Sequence, residues 1–206
     1  VITNNSYGAG SSCFPYSGQY SGYCGQADQQ LLEMPKLMHV FAAGNAGTLQ
    51  CGNYPVSYRT IDNAFQAAKN VLTVGGTNDN GSVNVYSKGP TLDGRVKPEI
   101  VAVSTNVLST TTNNNYGRLD GTSMACPQVS GGLALLYERY RQLFNGEDPE
   151  GALMKALICN TATDLGTPYV DFANGYGWLN TFKALKTMNK KQWFSGVVNH
   201  QEEQVI

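Results

Sequence analysis

The stretch Gly121-Thr122-Ser123-Met124-Ala125-Cys126-Pro127-Gln128-Val129-Ser130-Gly131 joins a small-residue turn, a hydroxyl and the start of a long apolar helix. Gly121 lets the backbone turn tightly before it winds up. From Met124 onward Val129, Leu133, Leu136, Tyr137 and Tyr140 recur at helical spacing. Ser123 is therefore expected at or near a helix N-terminus. Unpaired N–H groups and the positive end of the helix dipole favour negative charge there. A serine so placed can attack a carbonyl and leave the oxyanion beside its own N–H. The same residue also suits a plain N-cap without chemistry. Pro127 speaks for a more specialised helix start, because it removes a helical hydrogen bond within about a turn of Ser123.

Four segments are expected as parallel strands, near residues 1–5, 38–43, 71–75 and 99–103. The second is a mostly apolar run, as suits a sheet covered on both faces. It ends in Ala42-Ala43-Gly44-Asn45, where the asparagine is also a common turn residue. Helices are expected over Ala27–Met34, from Ser123 to about Leu143, from Asp148-Pro149-Glu150 through Asn160, and from Thr181 to about Met188. Asp148 and Pro149 supply a cap and a first-turn proline. Gly131 and Gly132 weaken their helix by about 1 kcal/mol each relative to alanine. They are expected to permit close packing on the sheet. Asp62–Asn70 reads as a helical or turn segment, Val83–Tyr86 as a short extended piece and Thr105–Asp120 as a polar, exposed loop. The chain divides at 188. Residues 189–206, with β segments at Trp193–Val198 and Glu203–Ile206, read as the start of a C-terminal β domain or as a tail packing on the last helix.

The 206 residues suffice for one full domain with a sizeable core. A net charge of −1 gives no electrostatic footprint for nucleic acid or an anionic membrane. The apolar runs are far too short to span a bilayer. The five cysteines match no zinc spacing. Cys13, Cys24 and Cys51 lie in polar, Gly- and Tyr-rich loops. One bridge is expected among them, with the pair left open, as suits an exported protein. Cys126 and Cys159, on apolar helix faces, are expected as buried thiols. The chain opens inside an apparent strand and without an initiator methionine, so it reads as a piece of something longer.

The 121–131 run resembles the nucleophile signature of subtilisin-like serine proteases, whose usual form is GTSMAxPHVAG. It departs at Gln128, where His is common, at Ser130, where Ala is common, and at Cys126, where a small residue is usual. The resemblance extends from Val1 to about Met188, through Ala68-Lys69-Asn70-Val71-Leu72-Thr73-Val74-Gly75 and Gly175-Tyr176-Gly177. Val103-Ser104 stands where relatives usually carry Pro-Gly. It implies the C-terminal half of an α/β catalytic domain: about four parallel strands sandwiched by helices. It further implies Ser123 as nucleophile and Asn45 as the amide donor to the oxyanion. Ser6, Tyr7, Gly8, Ala42, Ala43, Gly44, Gly121 and Thr122 would line the peptide cleft.

Such a hydrolase needs a histidine base and an aspartate, and in this family both precede the serine. His39 lies in a strand without the expected context, and His200 lies in the tail. Both missing members are expected upstream of Val1, leaving this chain alone inactive. The resemblance implies a secreted serine endopeptidase that cleaves peptide or protein substrates through an acyl-enzyme. An inactive peptide-binding module that keeps the cleft is the alternative, and an esterase with the same machinery is a third. Calcium is often bound in the family, but Asp28, Asp79 and Asp93 read as turn residues, not ligands. Without its upstream neighbour, the strand at 1–5 is expected to self-associate.

Overall fold

The computed structural model describes residues 1–10, 13, 17–82, 86–194 and 196. Strands β1 (Ile2–Asn5), β2 (Met38–Ala42), β3 (Leu72–Thr77) and β4 (Ile100–Val103) form one parallel sheet in sequence order. Strands β2 to β4 are almost wholly buried, which explains their apolar, unalternating composition.

Helix α1 (Gly22–Glu33) covers one face, packing Cys24, Ala27 and Leu31 against Phe41, Ala67, Ala68 and Val71. It starts five residues before the expected Ala27. Tyr23-Cys24-Gly25 reads as loop composition, yet Cys24 is fully buried and its thiol donates to the Ala64 carbonyl at 3.1 Å. The 62–70 segment settles as turns without a helix.

The other face carries the main core. Between β4 and the next helix, β5 (Val107–Thr111) and β6 (Asn115–Leu119) form an antiparallel hairpin where a loop was expected. Helix α2 (Thr122–Leu143) then lays Ala125, Val129, Leu133 and Leu136 over Val40, Val74 and Ile100. Helices α3 (Gly151–Thr161) and α4 (Thr181–Asn189) complete this layer. The two mid-helix glycines behave differently from expectation. A Cβ at Gly132 would lie 2.8 Å from Thr181 Oγ1, so this residue admits the start of α4, not the sheet. Gly131 faces open space.

The segment 176–179 runs along β4: Val101 N–H donates to the Gly177 carbonyl, and Leu179 N–H to the Val101 carbonyl. It closes that edge of the sheet. At the opposite edge, β1 pairs only with β2 among the described residues. The bridge joins Cys13 to Cys51, leaving Cys24, Cys126 and Cys159 as thiols. Burial pushes the Cys126 thiol up to about 11 and Cys159 up to about 12, so both stay protonated at neutral pH. Trp193 packs on Tyr140 and Phe144 near the end of α2. Most of the expected β segments after it, and Val83–Val85, fall outside the described residues. No helix among those residues is long and apolar enough to cross a membrane.

Candidate active site

Parallel strands deliver the site residues to one end of the sheet. β1 leads into Ser6-Tyr7-Gly8, β2 into Ala43-Gly44-Asn45, and β4 returns through the hairpin to α2. Gly121, with φ of 143°, makes the turn into α2 in a backbone region that disfavours other residues. Its N–H is held by the Ser104 carbonyl at 2.8 Å.

Thr122 joins two of these segments. It is fully buried, its hydroxyl accepts from Gly44 N–H at 3.1 Å, and its N–H donates to Asn45 Oδ1 at 2.9 Å. The hydroxyl also lies 3.1 Å from the same Oδ1. The amide oxygen of Asn45 is thus committed, which fixes the plane of its side chain. Its Nδ2 and the N–H of Ser123 have no hydrogen-bond partner among the described residues.

Ser123 sits in the first turn of α2. Pro127 lacks the N–H that would reach the Ser123 carbonyl four residues back. That carbonyl accepts from Ser6 Oγ instead, at 2.9 Å. Ser123 Oγ in turn donates to the Ser6 carbonyl at 3.2 Å. The helix start and the end of β1 are therefore clasped by a reciprocal pair.

A cleft of about 440 Å³ opens at this point, lined by Tyr7, Gly8, Gly10, Ala42, Gly44, Asn45, Ala46, Leu49, Asp62, Thr122 and Ser123. Of the residues singled out from sequence, Ala43 and Gly121 lie buried behind this lining, and Ser6 is tied to the Ser123 backbone. Two contributors had no signal in the sequence. Asp62 accepts from the N–H groups of Ala9 and Gly10, and Gln66 Nε2 donates to the Tyr7 carbonyl at 2.9 Å. Both act on residues more than fifty positions away, so no local pattern marks them.

His39 lies on the α1 face of β2, opposite to α2. Its Nδ1 is 2.7 Å from Thr3 Oγ1 and its Nε2 is 3.0 Å from Gln30 Oε1. Burial lowers its pKa from the usual value. The ring is therefore engaged and away from Ser123. Asp28 accepts from Lys69 and Asn70 N–H, and Asp93 pairs with Arg95. Among the described residues no three carboxylate, histidine or cysteine side chains converge.

A parallel α/β sheet that presents a helix-start serine beside an oriented asparagine amide defines the subtilisin-like architecture. The chain belongs to the subtilase family, whose model matches residues 1–177. It is 36% identical over 140 residues to a thermostable alkaline protease of Halalkalibacterium halodurans, covering 68% of this chain and 32% of that one. It is 38% identical over 81 residues to a C5a peptidase of Streptococcus pyogenes, covering 38% of this chain and 7% of that protein. Among solved structures it resembles the patellamide maturation protease PatA, with a TM-score of 0.70 and 28% identity over 92% of this chain and 63% of that one. The chain thus spans about a third or less of these two curated relatives.

Proposed function

We propose that this chain is the nucleophile-bearing half of an exported serine endopeptidase. Ser123 Oγ attacks the scissile carbonyl of a peptide. Its proton passes to a histidine supplied, with its orienting aspartate, by residues preceding Val1. The tetrahedral oxyanion is held by Ser123 N–H and Asn45 Nδ2, donors aimed before the charge develops. Tyr7-Gly8, Ala42 and Gly44 flank the peptide, whose backbone can pair with these extended segments. Collapse of the intermediate expels the amine and leaves an acyl-enzyme, which water then hydrolyses. Export accords with the Cys13–Cys51 bridge.

The observation that carries this reading is the commitment of Asn45 Oδ1 to Thr122, which leaves the amide donor free in the cleft that Ser123 lines. By itself the chain should be nearly inert, because among the described residues Ser123 Oγ finds only a backbone carbonyl as acceptor. A fluorophosphonate probe is expected to label Ser123 in the full-length protein and not in residues 1–206 alone. Labelling of the isolated chain would reveal a base within it. No labelling of the full-length protein would favour the peptide-binding module. In the same reading, the open β1 edge of the isolated chain is free to pair with a second copy.

A further inference from the structure

Asp62 is a buried carboxylate outside every ion pair among the described residues. It is 5% exposed. Its Oδ1 accepts from Ala9 N–H at 3.0 Å and its Oδ2 from Gly10 N–H at 3.1 Å. A Cβ on Gly8 would fall 2.2 Å from Oδ2, so the carboxylate lies directly against the Gly8 backbone. An ionised carboxylate has about four lone-pair sites, so these two bonds leave it unsaturated. Burying such a charge without a counter-ion is costly. Yet this residue lines the same cleft as Ser123 and Asn45, and the remaining lining is neutral.

We propose that Asp62 is a specificity determinant, and that the cleft selects a substrate with lysine or arginine at the residue supplying the scissile carbonyl. This rests on the endopeptidase reading above. Ser123 and Asn45 hold that carbonyl, so the side chain nearest the cleft belongs to the same residue. Its alkyl stem lies along Tyr7, Ala42 and Leu49, as cationic side chains commonly bury their stems. Its charged head supplies the counter-ion that Asp62 lacks. A role confined to anchoring Ala9 and Gly10 is the competing account.

The test uses the full-length protein and matched peptides with Lys, Arg, Leu or Phe at that residue. The wild type is expected to favour Lys and Arg in kcat/KM. In Asp62→Asn the basic-to-neutral ratio is expected to fall about 30-fold or more, the scale for unpairing a buried charge. A wild type without basic preference overturns the proposal while leaving the hydrolase intact. So does a variant in which basic and neutral substrates lose activity in parallel, the mark of an anchor. Calorimetric titration of the wild type with benzamidine and its neutral analogue benzamide needs neither turnover nor a folded variant. Tighter binding of the cation supports the site, and equal binding overturns it. If no peptide is cleaved but benzamidine is preferred, the hydrolase reading fails and the cation site stands.

Discussion

Lys97 and Lys155 both reach one oxygen of Glu99, Oε1, at 2.6 Å. Its other oxygen accepts from Thr73 N–H at 2.8 Å. Glu99 and Lys97 are buried, so each depends on the other for neutralisation. Burial pushes the Glu99 carboxyl up, but Lys155 and Lys97 together outweigh it and hold the pKa below the usual range. Its stabilisation is therefore present above the ordinary carboxyl pKa and lost as pH falls through the lowered value. Glu99→Gln would leave Lys97 buried beside a neutral partner. A loss of about 3–5 kcal/mol in urea unfolding at neutral pH is expected, with a flatter acid limb in the stability profile. A loss below about 1 kcal/mol would show that water, or deprotonation of Lys97, already relieves the charge. Nothing in Lys97-Pro98-Glu99 announces this pairing, because Lys155 enters from α3, 56 residues away.

At the scale of elements, the four parallel strands fall within one or two residues of expectation, and β2 to β4 were legible as largely apolar runs bounded by polar turns. The β5–β6 hairpin was not. Its Thr/Asn-rich sequence has no buried face to impose alternation, and its strands are mostly exposed. The available signal was Asn113-Asn114, both at positive φ, between β-favouring Thr110-Thr111 and Tyr116. In α2 the glycine pair was legible as a weakness, but the role of each member was not, because it depends on a helix fifty residues further on. Gly131→Ala adds helix propensity into open space and is expected to stabilise by about 0.5–1 kcal/mol. Gly132→Ala meets Thr181 and is expected to destabilise. Thermal melts of the two variants should shift in opposite directions, and equal upward shifts would mean that α4 yields without cost.

Across the whole molecule, local signals marked the helix that Ser123 opens and the turn at Asn45. The packing that organises the cleft was hidden. Ser6 clasps Ser123 from 117 residues away, Thr122 fixes Asn45 from 77, and Asp62 holds Gly10 from 52. Each of these contacts is a single polar side chain meeting backbone or amide, which composition and periodicity do not encode. The covered edge of the sheet was equally hidden, since 176–179 reads as a turn region and not as a strand partner for β4.

That asymmetry of edges limits how the sheet can grow. Two copies meeting through β1 would do so about a two-fold axis, each offering the same surface to the other. Each would then present only its β4 side outward, already occupied by its own 176–179 segment. Growth would terminate at a pair and could not continue into a fibre. Light scattering of residues 1–206 at rising concentration should therefore level off at or below twice the chain mass. Larger open-ended assemblies would mean that the 176–179 strap peels away or that the exposed β5–β6 hairpin pairs as well.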